Sequence, residues 1–324
     1  MKKRSFLLLM LAATKALTSQ AFAQNEYPGN KTVTIVVPFG AGGTTDLLGR
    51  VIADRLGQRL KGTFIVENKA GAGGNVGVSS VAKSNADGYT LTMGTVSTHS
   101  INPNVYKTMP YDHVKDFAPI SLVASVPNLL LVNPSLPVKS VPELVELLKR
   151  EPGKHAFASS GAGTSIHLAG ELFKLNSGTD IVHVPYRSSG QITQDLLSGK
   201  ILMTFDNITV AWPFVQDGKL KALATATPER LPFAMDMPAM SEFYPGFAAT
   251  SWHGLFAPSA TPKAIVDKLS AEVQAILREP ETMGKLTKLG ITPVGSTSAE
   301  FATHIASETA RWKEVAAKAN VTVE

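Results

Sequence analysis

The fold is decided by a stretch near the start of the chain, Val33 to Asp46, which reads VTIVVPFGAGGTTD. Its first five residues are all β-branched, a composition typical of a buried strand. Leucine, valine and isoleucine then recur at helical spacing from about Thr44 to Lys61, which predicts an amphipathic helix. The glycine-rich segment Gly40 to Gly43 therefore joins a strand to a helix, the unit from which α/β proteins are built.

The same glycine-rich strand–turn–helix motif occurs a second time. A predicted strand, Ala156 to Ser159, runs into the sequence SGAGTS, Ser160 to Ser165, and a second predicted helix. The start of a helix carries unpaired N–H groups and a partial positive charge, and glycine lets a ligand approach the backbone. One copy would be an ordinary turn, but two copies with no neighbouring lysine predict an anion site between two α/β units. A carboxylate suits such a site better than a phosphate, which usually has an Arg or Lys partner.

Length and composition indicate a globular protein of about two domains. The chain has 324 residues, 44 % hydrophobic and 18 % charged, and contains no cysteine. This composition excludes a disordered tail, a fibre and a disulfide-stapled miniprotein. The net charge of +5 points toward nucleic acid only if the basic residues belong to the working protein.

The first 23 residues have the pattern of a secretory signal. Three basic residues precede a short apolar run, and Ala21-Phe22-Ala23 forms an A-x-A cleavage site. The apolar run is too short for a membrane anchor, which needs about 20 residues. Without this leader the chain has 27 basic and 26 acidic residues, a net charge of +1. We therefore expect cleavage after residue 23, export to the periplasm and no nucleic-acid partner.

Further alternation of strands and helices predicts an α/β protein with largely parallel sheets. The predicted strands span 64–67, 90–94, 181–184, 201–205 and 221–225, and the predicted helices span 76–82, 165–175, 192–197, 264–277 and 299–319. The apolar segment Ile120 to Val132, interrupted by Pro127, is interpreted as a strand that leaves one domain and enters another. Pro228 to Gly254 then returns the chain. These crossings predict a discontinuous first lobe, residues 24–125 and 228–324, and a second lobe, residues 126–227.

Motifs for catalysis are missing from the sequence. It has no G-x-S-x-G elbow, no H-E-x-x-H pair and no Walker loop, and its Gly-x-Gly segments lack the last glycine of the dinucleotide-binding pattern. The sequence therefore predicts no catalytic residue, no metal site and no cofactor.

Several ordered segments resemble one family over essentially the whole mature chain, the extracytoplasmic receptors of tripartite tricarboxylate transporters (TctC-like or Bug family). The first is Val36 to Asp46, which is similar to the family's V-P-F-x-P-G-G-x-x-D pattern but has Ala41 and Thr44 where Pro and Gly are common. The other matching segments are Val66 to Asn75, Asp87 to Thr90, Val184 to Arg187, Gly218 to Ala224 and Trp252 to Pro258.

The resemblance implies a two-lobed periplasmic binding protein of type II, a Venus flytrap with two crossover strands. Such a receptor closes around a small carboxylate, acts as a monomer and delivers its ligand to the membrane subunits of the transporter. In this family two strand–turn–helix loops hold the carboxylate through main-chain N–H groups. The corresponding residues here are Gly40, Ala41, Gly42, Gly43, Thr44 and Thr45 in the first lobe and Ser160, Gly161, Ala162, Gly163, Thr164 and Ser165 in the second.

Seven other side chains are candidates for the site. They are Asp46, Ser97, Thr98, His99, His167, Arg187 and Asp206. Asp46 favours a role in bracing its loop, because an acid in the first turn of a helix stabilises the helix dipole. Ser97, Thr98 and His99 follow a strand and either contact the ligand or form a local turn. His167 and Arg187 are possible donors to the ligand. Asp206 and Asn207 end a strand, and we expect them to face the cleft or to form a strand-end turn.

The ligand and the biological role stay open at this point. Citrate, a C4 to C6 dicarboxylate, an aromatic acid, an acidic amino acid and nicotinate all satisfy a carboxylate site. An exported carboxylate-processing enzyme is an alternative function, and a receptor that signals to a sensor protein is another.

Overall fold

A computed structural model describes residues 27–324, so the predicted leader lies outside the described residues. The chain forms eleven strands within this range. In chain order these are β1 Val33–Val37, β2 Phe64–Asn68, β3 Thr90–Thr95, β4 Phe117–Val126, β5 Asn128–Val132, β6 Ala156–Ser159, β7 Val182–Pro185, β8 Met203–Asn207, β9 Lys221–Thr225, β10 Ser251–Pro258 and β11 Thr292–Pro293. They form two sheets, with strand orders β11-β4-β10-β3-β1-β2 and β7-β6-β8-β5-β9.

Helices cover the faces of both sheets. They are α1 Thr44–Leu60, α2 Asn75–Ala82, α3 Asn102–Val105, α4 Val141–Arg150, α5 Ser165–Ser177, α6 Ser189–Leu197, α7 Ile208–Gln216, α8 Lys263–Arg278, α9 Pro280–Lys288 and α10 Ser298–Lys318. A π-helical turn, Ser97–Ile101, follows β3. None of the described helices combines the length and apolar character needed to cross a membrane.

The strand and helix that flank the first glycine-rich loop are fixed by burial. Val33, Ile35 and Val37 are fully buried, and their neighbours in β1 are also largely enclosed. On α1, Leu48, Ile52 and Leu56 form one buried stripe at a spacing of four residues. Each such side chain contributes about 1.5–3 kcal/mol through burial. This packing holds the loop at the carboxyl end of β1.

Both sheets are mixed, so the prediction of largely parallel sheets is wrong. Strands joined through a helix run parallel, as in the pairs of β1 with β2 and β3 and of β6 with β7 and β8. The strands β5 and β10, each reached directly or by a loop from the other sheet, run antiparallel to their neighbours. Without a helix to carry it back to the start of the sheet, a crossing chain adds its strand in the opposite direction.

The crossing at Pro127 has the predicted form. It separates β4, in the first sheet, from β5, in the second. The return strand β10 was not predicted, nor were β11, α3, α4, α7 and α9. Predicted boundaries of the remaining elements agree within three residues. The largest shifts are at the start of α6, which begins at Ser189 and was predicted from 192, and of β4, which begins at Phe117 and was predicted from 120.

Candidate functional site

A cavity lies between the two sheets, where both glycine-rich loops end. Its volume is about 40 Å³, enough for a few ordered waters. Its lining consists of Phe39, Gly40, Gly43, Thr44, Thr45, Thr95, Val96, Ser97, Ser160, Thr164, Ser165, Ile166, Ser188, Ser189, Asn207, Ser251 and His253. Eight of these belong to the predicted site: Gly40, Gly43, Thr44, Thr45, Ser97, Ser160, Thr164 and Ser165.

The first loop presents an open helix N-terminus to this cavity. Gly43 is the N-cap of α1, and no side chain caps that end of the helix. The first-turn N–H groups of Thr44, Thr45 and Asp46 therefore lack an intrahelical partner. Gly42 has a positive φ of 83°, which favours glycine at this turn. A Cβ at Gly40 would lie 2.9 Å from the Ser188 Cβ, so glycine also lets the second lobe approach this loop.

Asp46 braces the loop from behind and does not line the cavity. Its carboxylate accepts hydrogen bonds from the Gly42 N–H, from Asn68 Nδ2 and from Arg50 Nε, each at 3.0 Å. Burial alone would raise the pKa of Asp46, but these hydrogen bonds, led by that from Arg50, hold the pKa below its usual value. Ala41 and Gly42 also lie outside the lining, on the outer side of the turn.

The second loop offers fewer free donors than the first. Thr164 caps α5 by accepting from the His167 N–H at 3.3 Å. The Ser165 N–H donates to Ser97 Oγ at 3.1 Å, across the two lobes. Of the first-turn donors of α5, only the Ile166 N–H has no side-chain acceptor within the described residues. The two loops therefore present unequal numbers of free N–H donors, although their sequences are alike.

His167 supports the second loop from inside the lobe and does not line the cavity. Its Nδ1 accepts from the Gly163 N–H at 3.1 Å, and its ring stacks on His183 at 3.8 Å between centroids. Burial, with smaller effects from His183 and Lys174, lowers the pKa of His167 to about 3. The neutral ring that results is the form in which Nδ1 can accept this hydrogen bond.

The structure corrects the prediction that Thr98 and His99 contact the ligand. Of the three residues 97–99 that follow β3, only Ser97 lines the cavity. The Thr95 N–H donates to Thr98 Oγ1 at 3.0 Å, so Thr98 fixes the end of the strand. His99 is fully buried and stacks on Phe256 at 3.8 Å between ring centroids. Burial lowers the pKa of His99 well below its usual value. Both are core residues because the chain turns inward here in a π-helical turn.

Gly161, Ala162 and Arg187 lie in a recess at the edge of the cleft, apart from the central cavity. There the Tyr106 hydroxyl donates to the Ala162 carbonyl at 3.0 Å. A Cβ at Gly163 would meet Asn102 Oδ1 at 2.5 Å, so this part of the loop packs closely on the first lobe. The structure thus brings these four residues to the contact between the lobes.

Asp206 lies beneath the cavity and does not line it, which corrects the prediction that it faces the cleft. Its Oδ1 accepts from Ser189 Oγ at 2.8 Å and from the Asn207 N–H at 2.7 Å. Burial raises the pKa of Asp206 to about 6 despite these hydrogen bonds. Because Ser189 and Asn207 both line the cavity, Asp206 positions two lining residues instead of facing the ligand.

Sequence reasoning missed several lining residues. Ser188 precedes helix α6, and a search for polar residues at helix starts would have found it. Ser251 and His253 face the cavity from β10. No sequence signal marks them until β10 is recognised as a strand, because only its alternation places both side chains on one face.

The electrostatic character of the cavity comes from backbone and hydroxyl groups. None of the described lining residues carries a charge at neutral pH, since burial lowers the pKa of His253 to about 3. The N-terminal ends of α1, α5, α6 and α7 converge here, and α1 and α7 have no side-chain cap. Such a set of donors favours an anion that needs no cationic partner.

Comparisons with known proteins agree with this architecture. Residues 48–321 match the family model of the tripartite tricarboxylate transporter family receptor. The chain is 35 % identical to protein BugT of Bordetella pertussis over 291 residues, 89 % of each chain.

Two solved structures share the whole fold. Rpa4515 of R. palustris, solved with adipate, is 39 % identical with a TM-score of 0.88, over 91 % of this chain and 99 % of that one. MatC of Rhodopseudomonas palustris, solved with bound malate, is 33 % identical with a TM-score of 0.84, over 89 % and 99 % of the two chains. This chain therefore belongs to the family of tripartite tricarboxylate transporter receptors.

Proposed function

We propose that this receptor captures a small carboxylate in the cavity between its lobes and delivers it to a tripartite tricarboxylate-type membrane transporter. The observation that carries the proposal is the uncapped N-terminus of α1, which opens on a cavity whose lining has no charged side chain. Adipate and malate in the structures of two relatives support a carboxylate as the ligand class.

A carboxylate fits this lining better than a more highly charged anion. Phosphate usually recruits Arg or Lys, and neither lines the cavity among the described residues. A helix N-terminus contributes about 0.3–2 kcal/mol and a net hydrogen bond about 1 kcal/mol. Several such contacts approach the roughly 8 kcal/mol of micromolar binding.

Contacts between the lobes support capture by closure. The hydroxyls of Thr44 and Thr209 are hydrogen-bonded between the lobes, and the bond from the Ser165 N–H to Ser97 Oγ is a second contact between them. We propose residues 24–125 with 228–324 and residues 126–227 as the two bodies that close. Closure around the ligand would exclude water and expose one surface to the transporter.

We further propose that residues 1–23 are a cleaved leader and that the receptor works in the periplasm as a monomer. The A-x-A pattern before Gln24 supports cleavage. Mass spectrometry of protein from a periplasmic extract tests it, with a mature N-terminus at Gln24 as the expected result.

A thermal-shift screen against carboxylates tests the ligand class. A ligand at about 100 times its dissociation constant stabilises the folded state by roughly 2.7 kcal/mol, a clear rise in Tm. We expect carboxylates to produce this rise and neutral sugars or cations to leave the Tm unchanged. The reverse pattern would reject the proposal.

The Gly43→Val variant tests whether the ligand binds in the cavity beside the first glycine-rich loop. The backbone at Gly43, with φ of −87°, accepts any residue, and its new Cβ would have only the Gly40 carbonyl within 4 Å, at 3.8 Å. The added side chain should fill the cavity and abolish the ligand-induced shift while the fold remains. Gly284→Val on α9 is the matched control, because Gly284 also has open space around it but lies outside the cavity lining. It should keep the shift.

A further inference from the structure

Two buried polar atoms in the cavity wall have no hydrogen-bond partner. They are Thr95 Oγ1 and His253 Nε2, on side chains that belong to residues only 3 % and 2 % exposed. Buried polar atoms are normally paired, so an unpaired pair in the lining of a binding cavity indicates a group that the ligand supplies.

The two side chains lie next to each other. Thr95 on β3 and His253 on β10 are directly opposite in the antiparallel pairing of these strands. Opposed residues point to the same face, with Cβ atoms about 4.5–5.5 Å apart. Trp252 points to the other face, where it packs against Phe301. The sheet thus fixes the positions of the Thr95 and His253 side chains, and the pair forms one polar patch of the cavity wall.

The chemistry of this patch suits a neutral group. Thr95 Oγ1 both donates and accepts, and a neutral imidazole nitrogen does one or the other according to its tautomer. His253 Nδ1 has Thr45 Oγ1 at 3.4 Å, so the ring is linked to the first glycine-rich loop. No cation stands beside the patch among the described lining residues, so a second carboxylate would lack a counter-charge here. A hydroxyl matches both atoms, since it donates to one and accepts from the other.

We propose that Thr95 and His253 form a subsite for a hydroxyl group of the ligand, so that the receptor prefers hydroxycarboxylates to their deoxy counterparts. This inference rests on the proposed function, because the carboxylate would be held at the glycine-rich loops while the hydroxyl reaches β3 and β10. Leaving the two buried atoms unpaired is what penalises the deoxy ligand.

Calorimetric titration with matched ligand pairs tests the subsite. The pairs are malate and succinate, citrate and tricarballylate, and lactate and propionate, each differing by one hydroxyl. In any pair that binds, we expect the wild-type protein to bind the hydroxylated member at least about tenfold more tightly. This ratio needs no variant, so it decides the question even if a substitution unfolds the protein.

Variants assign the preference to the two residues. Thr95→Val and His253→Phe keep the size of each side chain and remove the polar atoms, and each should reduce the ratio to about twofold or less. Thr92→Val is the matched control on the same strand, because the Thr92 hydroxyl donates to the Val36 carbonyl and does not line the cavity. It should leave the ratio unchanged.

Any other outcome of these titrations would contradict the proposed hydroxyl subsite. Equal affinities within the pairs, or binding confined to carboxylates without a hydroxyl, remove the subsite and leave the proposed function intact. A ratio that persists in Thr95→Val and His253→Phe places the hydroxyl elsewhere. If no carboxylate binds at all, the proposed function fails and the subsite fails with it.

Discussion

Asp46 shows how one carboxylate shapes the site without touching a ligand. Its carboxylate accepts hydrogen bonds from the Gly42 N–H, from Arg50 and from Asn68. Because its pKa is lower in the folded state than in the unfolded chain, its contribution to stability is present above the unfolded pKa and is lost as the pH falls through the folded pKa.

We predict that Asp46→Asn lowers the free energy of unfolding at pH 7, because the charged acceptor of three donors is lost. The difference from wild type should begin to shrink below about pH 4, where Asp46 of the unfolded chain becomes protonated, and should continue to shrink as the pH falls through the lower pKa of the folded state. Urea unfolding at pH 7 and pH 3 measures both. Asp54→Asn, on the exposed side of the same helix, is the control and should change little.

His167 also makes stability fall with falling pH, but over a window that begins at a higher pH. Its folded pKa of about 3 lies below that of an unfolded histidine, so the unfolded chain binds one more proton between about pH 6.5 and 3. Stability therefore falls with falling pH in this window, by about 1.4 kcal/mol per pH unit for one such group.

We predict that His167→Asn reduces the pH dependence of the unfolding free energy by about 1.4 kcal/mol per pH unit, the contribution of one proton. The Asn side-chain oxygen can still accept from the Gly163 N–H, so the loop should keep its shape. Unfolding free energies measured between pH 6.5 and 4 give the slope. An unchanged slope would mean that His167 does not stay neutral in the folded protein.

At the level of single residues, sequence reasoning located the loops better than the side chains around them. Gly43, Thr44 and Thr45 could be predicted because the same glycine-rich strand–helix junction occurs twice in the sequence, each time with hydroxyl residues at the start of the helix. His99 and Asp206 could not be placed, because whether a strand-end side chain faces a cleft or the core depends on turns and partners distant in sequence. In both cases the chain turns the side chain inward.

At the scale of elements, the second glycine-rich loop is attached to the first lobe at its outer edge. The contact is the hydrogen bond from the Tyr106 hydroxyl to the Ala162 carbonyl, 3.0 Å long. It joins a residue that follows α3 to the loop that precedes α5, and it forms only when the lobes are together.

We predict that Tyr106→Phe speeds ligand dissociation several-fold, since one net hydrogen bond of about 1 kcal/mol is lost from the closed form only. The association rate and the unliganded Tm should stay close to wild type. Stopped-flow displacement of a bound carboxylate measures the dissociation rate. Tyr89→Phe is the control, because the Tyr89 hydroxyl donates to the Pro28 carbonyl, a contact within the first lobe. If the two variants dissociate alike, the Tyr106 contact does not hold the closed form.

Local patterns predicted the elements that surround the loops and missed those that depend on topology. The five β-branched residues of β1 and the periodic stripe of α1 are signals within the segment itself. The strand β10 is buried along its whole length, although it contains Ser251 and His253, and its direction follows from the crossing of the chain between sheets. The hydrophobic periodicity of the local sequence does not indicate such a crossing.

At the scale of the molecule, the absence of charge in the cavity lining has a kinetic consequence. Without the proposed leader, residues 1–23, the chain carries a net charge of only +1, and no described lining residue is charged at neutral pH. A basic surface would attract anions from a distance and would lose that advantage in salt, whereas oriented N–H groups act at short range.

We predict that the association rate constant for a carboxylate changes less than about threefold between 50 and 500 mM salt. Stopped-flow fluorescence at the two ionic strengths provides the measurement. A tenfold decrease would indicate long-range attraction by charges outside the cavity.

The position of β10 also governs the order in which the protein can fold. β10 lies between β3 and β4, so the first sheet lacks a central strand until residues 251–258 have been synthesised. All five strands of the second sheet lie within residues 128–225 and are available earlier. The second sheet can therefore assemble while β3 and β4 still present unpaired edges, which are prone to aggregation. Closing this gap requires contacts between residues more than one hundred positions apart, so completion of the first sheet is expected to be the slow step of folding.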